Sequence, residues 1–458
     1  MIDTRHFELN VLYNKTPLNE EIGAEIESMQ YVDSAADNSD SLEITINAQE
    51  SKWASDTWMP YKGASLYAAV TGYHWENERD NKGLECGLFC LDDISYNDTP
   101  TTLRLNGVAK PADTNFSELE RQVVWSNTTI KRIGADIAGR YGLAYTYDAD
   151  DYGIDGDEQD DTDSSYLNDL CKRYGLILKV YARHLWIYDR EKYKGKLAVR
   201  NYDRTDIIQG SFSFTNTLSG TFTGGYFSYT DPDKNCDITA WVGGGTHTKN
   251  ISRRATSVFD AQVQLCAEIN NANHGTCKCS FSVPGDWDIA SSNCITITGY
   301  GKAINGKYFI DKVSHSFDRS VGFKTSLECS RVDEPFYYWE VGGDIQYYES
   351  DHSSSTEYKS SYAHNSPAAS MATAAATNAA AAAGAKTVAA KQAVTLSNAP
   401  FYYTSTAPKP SCYKSGTFYF YDGILVNNRY RITNSPDRCE KLPVGKNVTG
   451  WVPAEYCS

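Results

Sequence analysis

At 458 residues, 41% apolar and 22% charged, the chain is long enough for about two to four cores and too apolar to stay disordered. A formal charge of -15 argues against specific nucleic-acid binding, which draws its affinity from Lys and Arg on phosphates. No apolar run approaches the ~20 residues of a spanning helix, so no membrane insertion is expected, and 33 Tyr with many Thr-rich alternating runs favour strands over helices.

Residues 1–111 read as strand after strand. Leu42, Ile44 and Ile46 alternate with Glu43, Thr45 and Asn47, and turn-rich clusters at 77–83, 97–100 and 110–114 separate and close the run. This predicts a first β-barrel. Across 112–195 the period becomes 3.6. Ile130, Ile133, Ile137 and Tyr141 form one helical stripe ended by Gly142, and Tyr166, Leu167, Leu170, Cys171 and Tyr174 form another ended by Gly175. A strand follows each helix, the second turning through Ala182-Arg183-His184 into a hairpin, so a middle α+β domain is expected.

Residues 196–335 return to strands, with Phe212, Phe214 and Phe222 as core candidates up to about Trp241. A helix from Ser257 to Asn271, capped by Ser257 with Asp260, interrupts them, and 242–280 is expected to pack on the middle domain. The segment from Pro284 to Val332 is a complete antiparallel unit. Ile295 and Ile297 alternate with Thr296 and Thr298, Asn305-Gly306 marks a turn, and Phe323, Thr325, Leu327 and Cys329 alternate with polar neighbours. It predicts the wall of a second barrel. Residues 336–399 begin with an aromatic cluster, Tyr337, Tyr338, Trp339, Tyr347 and Tyr348, then run Ser- and Ala-rich and read as a linker. Residues 400–458, with GTFYFYDG, YRITNSP and VTGWV, describe a small barrel.

The order PGD, an apolar strand, GKYFIDKVSHSF and a G-x-x-T-S-L-E strand, together with YGL at Tyr141 and again at Tyr174, resembles the late control protein D family of contractile-tail baseplate hubs. DSAADNSDSLEITINAQESKW, ending near Trp53, resembles that family's opening domain. The resemblance implies a mainly β fold with an α+β insert: two tube-like β-barrels at 1–111 and 196–335, with the middle domain at 112–195. It further implies a homotrimer of pseudo-sixfold symmetry. Such a ring would join a hexameric inner tail tube protein to a trimeric spike protein, among other baseplate proteins, in a virion or phage-tail-like bacteriocin particle assembled after synthesis in the bacterial cytoplasm. The tail resembles bacterial SH3-like modules. That likeness implies peptidoglycan as a further partner, with Tyr419, Tyr421, Tyr430 and Trp451 as stacking candidates.

Catalytic chemistry is not signalled. There is no G-x-S-x-G elbow, Cys-His signature or H-E-x-x-H, the eight His stand singly, and GGGTHTK at 243–249 lacks Walker spacing. His315, inside the strand VSHSF, is expected to be a packed, hydrogen-bonded residue. The start MIDTRHFELN has no basic stretch followed by an apolar run, so no secretory signal is expected. Most of the twelve cysteines accordingly read as buried thiols, since Cys277-x-Cys279 and Cys86-x-x-x-Cys90 lack zinc-site partners. The acidic run from Asp148 to Asp163 fails the calcium-loop pattern at Tyr152 and Gln159 and is expected to be a solvated loop whose end, Thr162 and Asp163, caps the next helix. No catalytic, metal or cofactor residue is therefore nominated, and the chain is expected not to be an enzyme. The competing reading is a tail-associated peptidoglycan hydrolase or a cell-wall-binding protein anchored by 400–458.

Overall fold

A computed structural model of the chain describes residues 5–18, 23–36, 39–49, 53, 55, 59–77, 79–111, 114–347, 390–402, 412–426, 428–439 and 448–457. These fall into two units, 1–348 and 349–458. The Ser- and Ala-rich part of the expected linker lies outside the described residues.

In the first unit, alternating apolar residues place six antiparallel strands around one core. In spatial order they are Ile26–Ser34, Ser41–Asn47, Thr101–Val108, Asn81–Asp98, Ser65–Tyr73 and His6–Tyr13. Met29, Leu42, Ile44, Ile46, Leu66, Leu103 and Leu105 fill it, because a strand shows every second side chain to the same side. Trp53 closes the cluster and donates its indole N–H to Glu25 at 2.7 Å.

The second curled half is built from Gly306–Asp318, Gly322–Arg331, Cys277–Pro284 and Ser213–Asn216, with Cys294–Thr298 and Ala198–Asp203 branching from it around Phe281, Ile295, Ile297, Tyr308, Val313 and Leu327. The two expected barrels are not separate bodies. Strand 306–318 pairs with 294–297 through its first residues and with 28–34 through its last, so one thirteen-stranded sheet runs through both halves. The switch falls at a bulge, Asp311, whose carbonyl accepts the Ala35 N–H at 2.8 Å. A thirteen-residue strand is long enough to serve two walls in turn.

The middle domain follows the expected helix-Gly-strand pattern twice. Helix α1, Ile130–Arg140, leads through Gly142 (φ +62°) to Ala144–Asp148. Helix α2, Asp163–Arg173, leads through Gly175 (φ +73°) to the hairpin Leu176–Tyr181 and His184–Asp189, a left-handed residue being what a helix needs to turn back at once into a strand. Helix α3, Arg190–Lys194, ends the domain. The acidic run is not wholly a loop. Asp157–Thr162 forms a strand against Glu120–Trp125, and Thr162 then caps α2 by accepting the Ser165 N–H. Fully buried Asp163 accepts from Gln159 (2.7 Å), Tyr141 (2.7 Å) and Arg140 (2.9 Å); burial alone would raise its pKa, and these donors hold it below the usual carboxylate value.

Two further expectations are corrected. Strands Gly224–Asp231 and Cys236–Gly243 leave the second barrel and join Thr248–Ile251 and Gly342–Tyr347, the last expected to be linker, in a separate four-stranded sheet. Helix α4, Val258–Asn273, is apolar on two faces and is covered on both: Leu265 and Ile269 pack on that sheet, while Val263 joins the middle-domain core and Asp260 accepts from Tyr174 OH at 2.9 Å. Cys171, Cys236, Cys266, Cys279 and Cys329 lie in these apolar cores.

The three parts of this unit meet at one buried charge. Lys179 of the middle domain bonds Asp33, lies 3.5 Å from Asp40, both from the first half, and donates to Ser291 Oγ of the second half at 2.9 Å. Ser291 N and Oγ both donate to Asp33, at 2.7 and 2.6 Å, and Asp40 accepts from Ser34 N (3.0 Å) and Tyr31 OH (3.2 Å). One ammonium faces two carboxylates, so they differ. Burial would raise Asp33, but Lys179 and Ser291 bring it below its ordinary value, whereas burial pushes Asp40 up to about 7.

The second unit is a four-stranded antiparallel sheet, Ala393–Phe401, Cys412–Val426, Arg429–Thr433 and Gly450–Pro453, around Leu396, Phe401, Phe420, Ile432 and Val452.

Two outcomes are expected of the buried knot. Lys179→Met leaves two buried carboxylates without their cation and should cost about 3–5 kcal/mol in urea unfolding. Between its ordinary 3.8 and about 7, folded Asp40 keeps a proton that the unfolded chain has lost, so this group lowers stability as pH rises, by up to about 1.4 kcal/mol per pH unit. Buried His315, held by burial at about 4 against an ordinary 6.5, acts in the opposite sense and lowers stability as pH falls through that range. Asp40→Asn should therefore gain on the native chain as pH rises from 4 to 7, and His315→Gln should gain as it falls from 6.5 to 4. Parallel curves for the native chain and a variant would remove that group from the titration.

Candidate assembly surfaces

The ladder between 28–34 and 312–318 sets Tyr31 opposite His315, their rings stacked with centroids 6.1 Å apart and planes at 11°. His315 is fully buried, with one ring nitrogen 3.2 Å from the Ile289 carbonyl and the other 3.3 Å from Thr325 Oγ1, the packed residue expected from sequence. On either side of this pair lies a hairpin, 26–34 with 41–47 and 306–318 with 322–331. Each half thus presents one hairpin to the seam.

Since the inward residues make the cores, their neighbours form the opposite face, and the register joins that face across the seam. One cross-strand row runs Asp93, Asn106, Glu43, Gln30, Ser316, Lys324. A second runs Ser41, Val32, Ser314, Ser326, Ser282, where the last two hydroxyls meet at 2.8 Å. The result is a polar face spanning both halves, on which Ser, Asn and Gln stand among the charges of Asp93, Glu43 and Lys324 and beside apolar Val32. Sequence reasoning found the alternation in each strand but not this continuity, which depends on pairings about 280 residues apart in the chain.

One edge is different in kind. Strand Ala198–Asp203 pairs on one side with 294–298, and its first four residues are exposed, with Val199 56% and the preceding Leu197 90% accessible. An apolar edge is a template for another strand unless something covers it.

Groups that could do chemistry are engaged elsewhere. In a cavity of about 610 Å³ between the middle domain and the second half, His274 Nε2 lies 2.8 Å from Asp311. Ser330 Oγ donates to that same carboxylate at 2.5 Å, so the serine is not set on the imidazole as an activated nucleophile would be. Asp40, whose raised pKa would suit a general acid, is 1% exposed inside the knot and out of reach of a substrate. Among the described residues no cluster of three His, Cys, Asp or Glu could hold a metal ion, and no helix is long and apolar enough to cross a membrane.

The four stacking candidates of the second unit separate by burial. Tyr421 (3% exposed) and Tyr430 (5%) are core residues, the latter edge-on to Phe420 at 4.9 Å, so they are corrected from surface to core. A small barrel has few apolar residues and spends its aromatics on its centre. Tyr419 and Trp451 stay half-buried, and the Arg431 guanidinium lies 5.0 Å from the Trp451 ring.

No family model and no curated protein matches the sequence. Solved structures do. The tail protein from Neisseria meningitidis MC58 is similar with a TM-score of 0.54 at 12% identity, over 71% of this chain and 96% of that one. The 43 kDa tail protein of prophage MuSo2 from Shewanella oneidensis is similar with a TM-score of 0.54 at 12% identity, over 71% of this chain and 98% of that one. The chain shares the fold of these phage tail proteins.

Burial also sets an expected mutational contrast. Tyr421→Ala and Tyr430→Ala should each destabilise the second unit by about 3–5 kcal/mol, while Tyr419→Ala and Trp451→Ala should cost about 1 kcal/mol or less. Chemical unfolding of the four variants checks it, and equal losses throughout would contradict the division.

Proposed function

We propose that this chain is the structural hub of a contractile injection baseplate, of a phage tail or a phage-tail-like bacteriocin. Three copies form a ring whose six half-barrels dock on a hexameric inner tube, while the threefold symmetry accepts a trimeric spike. The observation that carries this reading is the single sheet that runs through both halves, with one hairpin from each half on either side of the Tyr31 and His315 seam and a polar face across it. Two like surfaces per chain are what threefold assembly needs to present six. A polar face of mixed charge, with Asp93, Glu43 and Lys324 set among Ser, Asn and Gln, suits a passage, and the fold of the two tail proteins agrees with the assignment. Function then resides in packing and strand pairing, with no catalytic step, in a particle assembled from the cytoplasm. The exposed apolar edge at 197–201 supports contact between copies.

The half-buried Trp451, with Arg431 beside it, supports an accessory role for the second unit in holding peptidoglycan, the part of the competing reading that fits alongside the first.

Light scattering on the purified protein, alone and with tube or spike protein added, should give three copies per particle, and electron micrographs should show rings with a sixfold outline. A monomer under all these conditions would sink the proposal. The pair Leu197→Lys and Val199→Lys should return the protein to monomers with its melting temperature changed by no more than about 2 °C. Rings that persist would place the contact elsewhere.

A further inference from the structure

The aromatic run at 337–339 takes no part in the sheet, the knot or the edge described above. It forms a 3-10 turn, Tyr338–Glu340, fastened to α4: Asn270 bonds both backbone groups of Phe336, at 2.8 and 2.9 Å, and Gln262 Nε2 donates to the Val341 carbonyl at 2.7 Å. Two side-chain amides thus hold the turn from either end. On it Tyr337 and Trp339 stack with centroids 4.3 Å apart and planes at 11°. Tyr338 stands edge-on to Trp339 at 5.0 Å and to Phe259 at 5.4 Å. Four rings are thereby fixed together while Trp339 stays 49% and Phe259 50% exposed. Single exposed rings are ordinary, but a rigid exposed cluster marks a contact site, because it offers area without an entropic cost of ordering.

The charge around the rings selects the partner. Tyr337 lies in the field of Glu191, Glu340, Glu334 and Asp189, and Tyr338 in that of Asp150. Glu334, Glu340 and Asp150 are exposed. Glu191 is paired with Lys194 at 2.8 Å, the Asp189 carboxylate accepts the backbone N–H groups of Glu191 and Lys192, and Glu340 Oε2 accepts the Tyr337 N–H at 3.5 Å, which leaves Glu334 and Asp150 as exposed carboxylates of the rim. Aromatic faces carry the negative side of the ring quadrupole, so rings and carboxylates act in the same sense. An anionic ligand is repelled. A cation is drawn in, and a planar guanidinium meets both demands better than an ammonium, since it stacks on indole and forks to a carboxylate.

We propose that this surface binds an arginine-bearing segment of a partner protein, one guanidinium stacked on Trp339 and paired with Glu334. The inference stands on the ring geometry and its acidic rim and is independent of the hub reading.

The test uses the full chain and fluorescence anisotropy with labelled nona-arginine, nona-lysine and nona-glutamate peptides at about 0.15 M salt. Nona-arginine should bind with one saturable site, nona-lysine several-fold more weakly, and nona-glutamate not at all. Trp339→Ala and Glu334→Gln should each weaken nona-arginine about fivefold or more, and Phe259→Ser should weaken it less. All three positions are exposed or half-exposed, so melting temperatures should hold. If Trp339→Ala melts early, Glu334→Gln and Phe259→Ser carry the comparison. Undiminished binding by these variants, equal binding of nona-lysine, or no binding of nona-arginine at this salt would each overturn the proposal, the first two by showing diffuse attraction to an acidic protein.

Discussion

A single ammonium group governs the first unit. Lys179 Nζ reaches Asp33 and Asp40 from one part of the chain and Ser291 from another, residues 146 positions and 112 positions away for Asp33 and Ser291. Burial would strip Lys179 of its charge, but the two carboxylates hold its pKa above the ordinary value. Asp33 takes Lys179 and Ser291 from the other two parts, whereas Asp40 adds Lys179 to the Ser34 N–H and Tyr31 hydroxyl of its own half. Tyr188 repeats the arrangement without charge, its hydroxyl reaching both the Ala35 carbonyl at 2.9 Å and Ser292 Oγ at 2.8 Å. Such polar links are weak sources of net stability but strong sources of specificity, because any other docking of the three parts leaves a buried charge unpaired.

The shared strand depends on that docking. Asp311 bulges at the place where 306–318 changes partners, and its side chain is held by His274 and Ser330 while its carbonyl takes the Ala35 N–H. The bulge breaks the register of one ladder so that a new one can begin, and the knot fixes the first half at the angle the new ladder needs. Two cores are then joined by hydrogen bonds through one wall, without a flexible connection. The middle domain and α4 brace the outside, with α4 covered on both faces.

The surfaces left over divide by chemistry. The face that crosses the seam is polar and of mixed charge, the edge at 197–199 is apolar and exposed, and the ring cluster at 337–339 stacks in the open beside carboxylates. Each is fixed by a different constraint: the alternation of strands, an unpaired sheet margin, and a turn clamped by Asn270 and Gln262.

Local order alone carried much of this. Periods of two and 3.6, glycines at 142 and 175, the Ser257 and Thr162 caps and the turn at 182–183 state where strands and helices begin and end, because each depends on residues a few positions apart. The mainly β class with its α+β insert, the packed His315 and the buried thiols follow from the same local signals. Sequence could not say that 236–241 pairs with 342–347 and that 224–243 leaves the second barrel, nor that the two barrels share a wall, since every strand there alternates equally well for either partner. It likewise could not sort Tyr421 and Tyr430 from Tyr419 and Trp451, for an aromatic residue in a strand looks the same on either face until the register is set. What sequence determined by itself is the identity and boundaries of the elements. Tertiary structure alone decided faces and charge states and the partners that join the parts of the first unit, because those joining contacts lie more than a hundred positions apart and close only when the sheet and its buried lysine are in place.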